Sequence, residues 1–338
     1  MNTPSSATSS MPHPAGTTSA QPDRKSVFVL SLDCEGLWGV ADQPALIQSG
    51  IINQNSLGMA YDRILATLAR HGLKATAAFT SAFAASFEAL QSSRPLIEEI
   101  TQAEPAWFKQ ISGPLRAGTP QALNGFLGNR FWHLFAGQGH EMAWHGGTHL
   151  SLGENTARRS IELELQLAQT LAPVAGFKPT SVIYPRNCVG HQALLQAHGF
   201  TSYRKAPWQK QGGALWRRVC QLGKEFNVLA QASCQFPAKE HAMVAHPGGD
   251  FLNWPRGARA LATPAMTIAR WKSLLKSARV GGRYLHMWFH PHNLITAPEM
   301  AFTFEAIMEL VAQEVKNGCI ENRVMADQIF LEQLSCPT

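Results

Sequence analysis

The sequence predicts an α/β domain built on a mainly parallel sheet. Apolar runs of strand length alternate with amphipathic segments of helix length from Lys25 onward. The chain has 338 residues of which 45% are apolar, enough to bury a large core. Its most reactive side chains follow directly on apolar runs, where parallel sheets gather their sites at the C-terminal mouth.

Taken in order, residues 27–32 (Val-Phe-Val-Leu-Ser-Leu) read as the first strand. Ser56 reads as an N-cap, and Leu57, Tyr61, Ile64, Leu65 and Leu68 recur at helical spacing until His71-Gly72 stops the run. A second strand is expected over 74–80. Between 92 and 139 the pattern weakens, with Pro95, Pro105, Pro114 and Pro120 among Trp107, Phe108, Phe126, Phe131 and Trp132. This stretch reads as short helices and loops over one end of the sheet, packed locally or facing a substrate. A helix is expected over 154–171 with Ile161, Leu165 and Ala168 inward, then strands over 181–184 and 284–289. A final helix carries Phe304, Ile307, Met308, Val311 and Val315 and stops near Gly318. One domain over 25–338 is expected to follow a mobile Ser/Thr/Pro/Ala-rich tail over 1–24.

Composition excludes several classes. The 29 basic and 23 acidic residues leave a net +6, but the basic residues are scattered and no nucleic-acid motif accompanies them, so no nucleic-acid partner is expected. No stretch approaches the roughly 18 unbroken apolar residues of a membrane span, and the first residues lack the apolar core of a secretory signal. A cytoplasmic location is the expectation, with peripheral membrane contact and oligomeric state left open. The six cysteines show no CxxC spacing, which argues against a zinc–cysteine site.

Asp33 and Glu35 are two apart, so they share a side of a continuing strand or fan around a point beyond its end. His145 and His149 are four apart, on one helical face or around one tight turn, and can share an ion. Gly146 follows the first histidine, so the glutamate of an H-E-x-x-H peptidase is missing. Tyr184-Pro185-Arg186-Asn187 sets a guanidinium after a strand, where it can fix a carboxylate. In His286-Met-Trp-Phe-His290-Pro-His292-Asn293, strand alternation puts His286, Trp288 and His290 on one face. A histidine there could protonate a leaving group.

In this order the pieces resemble the NodB-type polysaccharide deacetylase family, carbohydrate esterase family 4. Ser31-Leu-Asp33-Cys-Glu35-Gly-Leu-Trp38-Gly39 resembles its acid motif and Gly139-His-Glu-Met-Ala-Trp-His145-Gly-Gly-Thr-His149 its second motif. Lys74 to Phe79 is similar to the second strand, Tyr184-Pro-Arg186-Asn to the arginine motif, and Trp288-Phe-His290-Pro to the late histidine motif. The resemblance implies an irregular (β/α)7-type barrel. It implies that Glu35, His145 and His149 hold a divalent metal, most often Zn2+, with Asp33 as general base on its bound water. It further implies that Arg186 orients Asp33 and that His290 is the general acid. The chain departs from the family's commonest pattern at Cys34, which separates the acids, and at Gly146, where Ser or Thr is usual. Exchange of roles between Asp33 and Glu35, and His292 in place of His290, stay open. For the fourth motif, Tyr203-Arg204-Lys205 and Trp208 are the nearest candidates.

The function so implied is removal of an N-acyl group, most simply acetyl, from an amino sugar in a glycan or glycan precursor. Hydrolysis of another C–N bond, of the cyclic imide or allantoin type, and a catalytically silent glycan-binding protein are the alternatives.

Overall fold

The structure is a computed structural model that describes residues 24–175, 178–207 and 222–332. Of the expected tail only Arg24 falls among these, and Trp208 lies outside them.

The described strands are β1 (Ser26–Cys34), β2 (Thr76–Phe79), β3 (Glu141–Trp144), β4 (Ser181–Ile183), β5 (Ser202–Arg204), β6 (Ala238–Glu240), β7 (Met243–His246), β8 (Asp250–Phe251), β9 (Tyr284–Phe289) and β10 (Ile320–Arg323). They form one sheet in the order β6-β7-β5-β4-β3-β2-β1-β9-β8, every pairing parallel except β6 with β7. Because β9 takes one edge of β1 over Val27–Leu32, β2 and β10 share the other, β10 beside its first half and β2 beside its last.

This sheet is curled. In a flat sheet at about 4.8 Å per strand, β5 would lie roughly 19 Å from β1, beyond an arginine's reach. Yet Arg204 of β5 hydrogen-bonds Asp33 of β1. At the far side β7 runs directly into β8, which pairs with β9, and side chains bridge the gap: the Tyr284 hydroxyl meets His246 Nδ1 at 2.8 Å and His286 Nδ1 meets Pro247 O at 3.1 Å. The seven parallel strands β7-β5-β4-β3-β2-β1-β9 thus make the expected irregular (β/α)7-type barrel.

Alternation sorts the core into two faces. Phe28, Leu30, Leu32 and Cys34 of β1, with Leu285, Met287 and Phe289 of β9, join the large cluster under the helices. Val27, Val29, Ala78, Ala143, Ile183, Val244 and Tyr284 fill a smaller cluster inside the barrel. All nine β1 residues are buried, as for a central strand covered on both faces. Period-two geometry therefore carries Ser31 and Asp33 inward above the apolar Val27 and Val29.

The outer layer is led by α1 (Gln54–His71), α2 (Arg158–Ala175), α3 (Pro264–Ala278) and α4 (Glu299–Lys316). The cap of α1 corrects the expectation for Ser56. Asn53 is the N-cap, accepting from the Asn55 and Ser56 amides, while Ser56 Oγ accepts from the Asn53 amide, so serine is the reciprocal member of a capping box. Gly72 closes α1 in the left-handed conformation at φ 64°, as its sequence position predicts. α2 starts four residues after the expected 154. Between β2 and β3 lie several short helices, and Trp107, Phe108, Phe126, Phe131 and Trp132 are all buried there. Among the described residues no helix is long and apolar enough to cross a membrane.

Candidate metal centre

β1 ends with Asp33 facing into the barrel, and the chain then turns at Gly36, φ +52°, into a short 3-10 helix. Glu35, just past the strand, folds its carboxyl against Gly39; a Cβ there would lie 1.9 Å from Glu35 Cδ and Oε1, so only glycine leaves the space. His145 continues the inward register of β3. The His145-x-x-x-His149 segment is a tight turn rather than a helix, with Gly146 at φ +78° and His149 at +69°. Glu164 of α2 holds it, accepting from the Gly147 and Thr148 amides and the Thr148 hydroxyl. Burial raises the Glu164 carboxyl to about 7 against these donors. A Cβ on Gly146 would meet Pro185 and Glu164, which explains why no side chain sits after the first histidine.

Glu35 lies among four imidazoles. Its Oε2 is 3.0 Å from His145 Nε2 and 2.7 Å from His149 Nε2; its Oε1 is 3.5 Å from His290 Nε2 and 3.9 Å from His292 Nδ1. Burial pushes the Glu35 carboxyl up, but His149, His290 and His145 outweigh it and hold the group well below the usual carboxylate range.

The donor chemistry calls for a cation. His145 Nδ1 lies 2.7 Å from Ile183 O, which can only accept, so the ring proton sits on Nδ1 and Nε2 presents a lone pair to a carboxylate oxygen. Two acceptors at 3.0 Å need a positive charge between them. A second proton on His145 supplies it, since His149, whose Nδ1 has no partner, can donate from Nε2 as the neutral ring. One divalent ion can take the place of both protons, and the three donor atoms, all on buried residues, lie within 4.8 Å of one another. Zinc, with bonds of roughly 2.0–2.2 Å and one open position in catalytic sites, suits two imidazoles and a carboxylate. The Nδ1 bond of His145 to a backbone carbonyl is the outer partner such a ligand usually has.

Asp33 is held differently. Arg204 donates to both its oxygens, at 2.8 and 2.7 Å, and also to Ser31 Oγ at 3.0 Å and Asn187 Oδ1 at 3.1 Å, while its guanidinium covers the Trp288 ring at 4.3 Å. Burial raises the Asp33 carboxyl, and Arg204 with the nearby histidines more than reverses this. A directed chain leads on: Arg204 donates to Ser31, Ser31 to His286 Nε2 at 2.8 Å, and His286 Nδ1 to Pro247 O. Burial and the Arg204 charge accordingly keep His286 neutral, well below its ordinary value.

The structure brings Asp33, Glu35, His145, His149 and His290 together, but not Arg186 with Asp33. Arg204 makes the carboxylate pair instead, and Arg186 lies outward with its guanidinium 4.4 Å from the Trp107 ring centre. The reason is local. Arg186 and Asn187 both adopt left-handed backbone, φ 58° and 53°, and Asn187 is the one turned inward, onto Arg204. Trp107 lies over His149 at 5.6 Å, so the weakly patterned segment adds a wall to the site. Glu164 is the site residue that sequence reasoning missed; Arg204 entered only as a fourth-motif candidate, Asn187 only as the neighbour of Arg186, and Trp107 only as one of the aromatics of the weakly patterned segment, none with the role seen here. His290 Nδ1 faces Asn293 Oδ1 at 3.2 Å, leaving Nε2 toward the acids; His292 is buried and pushed down to about 3.

Neither a family model nor a curated protein matches this sequence. Solved structures do. A candidate polysaccharide deacetylase from Mycobacterium smegmatis is 14% identical over 93% of this chain and 98% of its own, with a TM-score of 0.48. The Xyl-CE4 domain of a multidomain xylanase from the hindgut metagenome of Trinervitermes trinervoides is 10% identical over 93% of each chain, TM-score 0.44. A mutant, with restored activity, of a CE4 family pseudoenzyme from Bacillus anthracis is 13% identical over 93% of this chain and 70% of its own, TM-score 0.43. The matched structures are a polysaccharide deacetylase and CE4 family proteins. At these identities and scores the likeness is one of overall trace and says nothing of any single residue.

Proposed function

We propose that the protein is a metal-dependent hydrolase that removes an N-acyl group, most simply acetyl, from an amino sugar in a glycan or glycan precursor. The observation that carries this is the partition of two neighbouring buried carboxylates: Glu35 faces the Nε2 atoms of two imidazoles, with which it can share a cation, whereas Asp33 has both oxygens on a guanidinium. One acid is free to ligate and the other to act as a base.

Glu35, His145 and His149 would hold the divalent ion, which when bound lowers the pKa of water and polarises an acyl oxygen. Asp33, kept ionised by Arg204, accepts the proton of the attacking water. Arg204 fixes its orientation and stays charged throughout. His290, partly exposed with Nε2 3.9 Å from Asp33 Oδ2, delivers a proton to the departing amine. His292, neutral down to about pH 3, is unsuited to that role.

The test joins metal analysis of the purified protein to an acetate-release screen over N-acetylated sugars. Asp33→Asn should keep the metal and lose most turnover, and His145→Ala should lose the metal. No retained cation, or no acyl release from any amino sugar by metal-loaded protein, would end this assignment.

A further inference from the structure

We infer that Arg186 and Trp107 form an anion subsite on the rim of the metal centre, so that the preferred substrate carries a phosphate or carboxylate beside its acylated amino sugar. The substrate class rests on the deacylase reading above; the subsite itself stands on geometry.

Arg186 is exposed, and among the described residues no carboxylate lies within ion-pair distance of it. Asp33 makes no demand on it, because Arg204 already occupies both carboxylate oxygens. Its backbone holds an uncommon left-handed conformation for a side-chain-bearing residue, and so does that of Asn187. Such conformations are costly and persist where the surroundings impose them, often at ligand clamps. Here the consequence is directional: consecutive residues diverge, Asn187 into the catalytic network and Arg186 over the indole that also covers His149.

The polar group open at this rim is the Arg186 guanidinium; Trp107 beneath it is 7% exposed with its Nε1 buried, so the indole serves as a platform for the cation. A guanidinium fork held over an indole is complementary to a group with several acceptor oxygens. Trp107 contacts both the guanidinium and the proposed metal ligand His149, so an anion held here would lie beside an acyl group at the metal. Sugar phosphates and sugar carboxylates share this chemistry.

The experiment uses full-length, metal-loaded protein and Arg186→Gln. kcat and KM are measured for N-acetylglucosamine 1-phosphate, N-acetylmuramic acid and the neutral N,N′-diacetylchitobiose. Wild type should favour one or both anionic sugars, and which of the two separates phosphate from carboxylate. R186Q should lower that preference ~10- to 100-fold through KM, the range of a charged hydrogen bond, and Arg186→Lys should restore part of it. A wild-type preference for the neutral sugar, or a preference unchanged in R186Q, overturns the subsite. Should no sugar be deacylated, calorimetric binding of N-acetylglucosamine 1-phosphate still decides: weaker binding to R186Q by tenfold or more supports the subsite, and equal affinity refutes it.

Discussion

Replacing Arg204 by Met probes the buried pair at the heart of the barrel. Methionine occupies a similar length but removes both hydrogen bonds to Asp33, those to Ser31 and Asn187, and the cover on Trp288. Both partners are almost wholly buried, at 1% and 2% side-chain exposure. At an effective dielectric near 20, charges ~4 Å apart interact by about 4 kcal/mol, and breaking a buried pair by removing one partner typically costs about 3–5 kcal/mol. The expected loss is of that size. Asp33 would relieve part of it by taking up a proton, because with Arg204 gone its desolvation is no longer outweighed. The sign follows: in wild type the depressed carboxyl lends stability above its unfolded pKa that disappears only under strong acid, whereas in R204M that contribution is gone and the acid limb of turnover moves to higher pH. Urea unfolding of wild type, R204M, D33N and the double variant closes a mutant cycle, with a coupling of about 2–3 kcal/mol expected. A coupling under about 0.5 kcal/mol, or R204M turnover with an unshifted pH profile, would refute Arg204 as the partner that keeps Asp33 ionised.

Three further outcomes are expected. Glu35→Gln leaves two imidazoles and a neutral amide, so metal affinity measured by competition with a chelator should fall at least about 100-fold; stoichiometric metal in E35Q would contradict its place as ligand. Gly39→Ala puts a methyl into the space of the Glu35 carboxyl, and should strip the metal while circular dichroism stays native. His246, held down to about 3 by burial, is protonated first in the unfolded chain, so its share of stability is whole above about pH 6.5 and is lost as pH falls toward 3, about 2 kcal/mol by pH 5. His246→Gln cannot titrate, and the stability gap between wild type and this variant should narrow by that amount from pH 7 to 5; a constant gap would show that His246 is not held neutral.

The long, strongly patterned elements were legible in the chain: β1, β9, α1 and α4 have runs of four or more apolar positions with one dominant period. β5, β7 and β8, of two to four residues, fall below the length at which alternation can be told from chance, and β10 (Ile-Glu-Asn-Arg) is mostly polar because only its first residue is buried. The same brevity hid where Arg204 points, although the residue itself stood among the fourth-motif candidates. A three-residue strand gives no register of its own; the inward direction of Arg204 comes from its pairing with β4 and β7 and from the curl that brings β5 opposite β1. Arg186, by contrast, stood where a strand visibly ended, but a left-handed turn, invisible in residue types, exchanges its direction with that of Asn187. Ser56 as a cap failed for a related reason, since both members of a capping box are competent caps and the backbone chooses.

The Asp-Cys-Glu order follows from how the strand ends. Alternation on β1 aims Asp33 into the barrel and Cys34 outward, where its side chain joins the helical layer and burial pushes its thiol well up, leaving it inert. A second acid at position 34 would therefore point into an apolar layer away from the histidines. One residue later the strand is over, and Glu35 can swing back past its end, its longer side chain lying in the space that Gly39 leaves open. The two acids so reach one cavity from different backbone directions. Asp33 meets a permanent cation, whereas Glu35 meets imidazoles whose lone pairs must be shared with a proton or a metal. The difference between the two acids is set by these neighbours rather than by the carboxyl groups themselves.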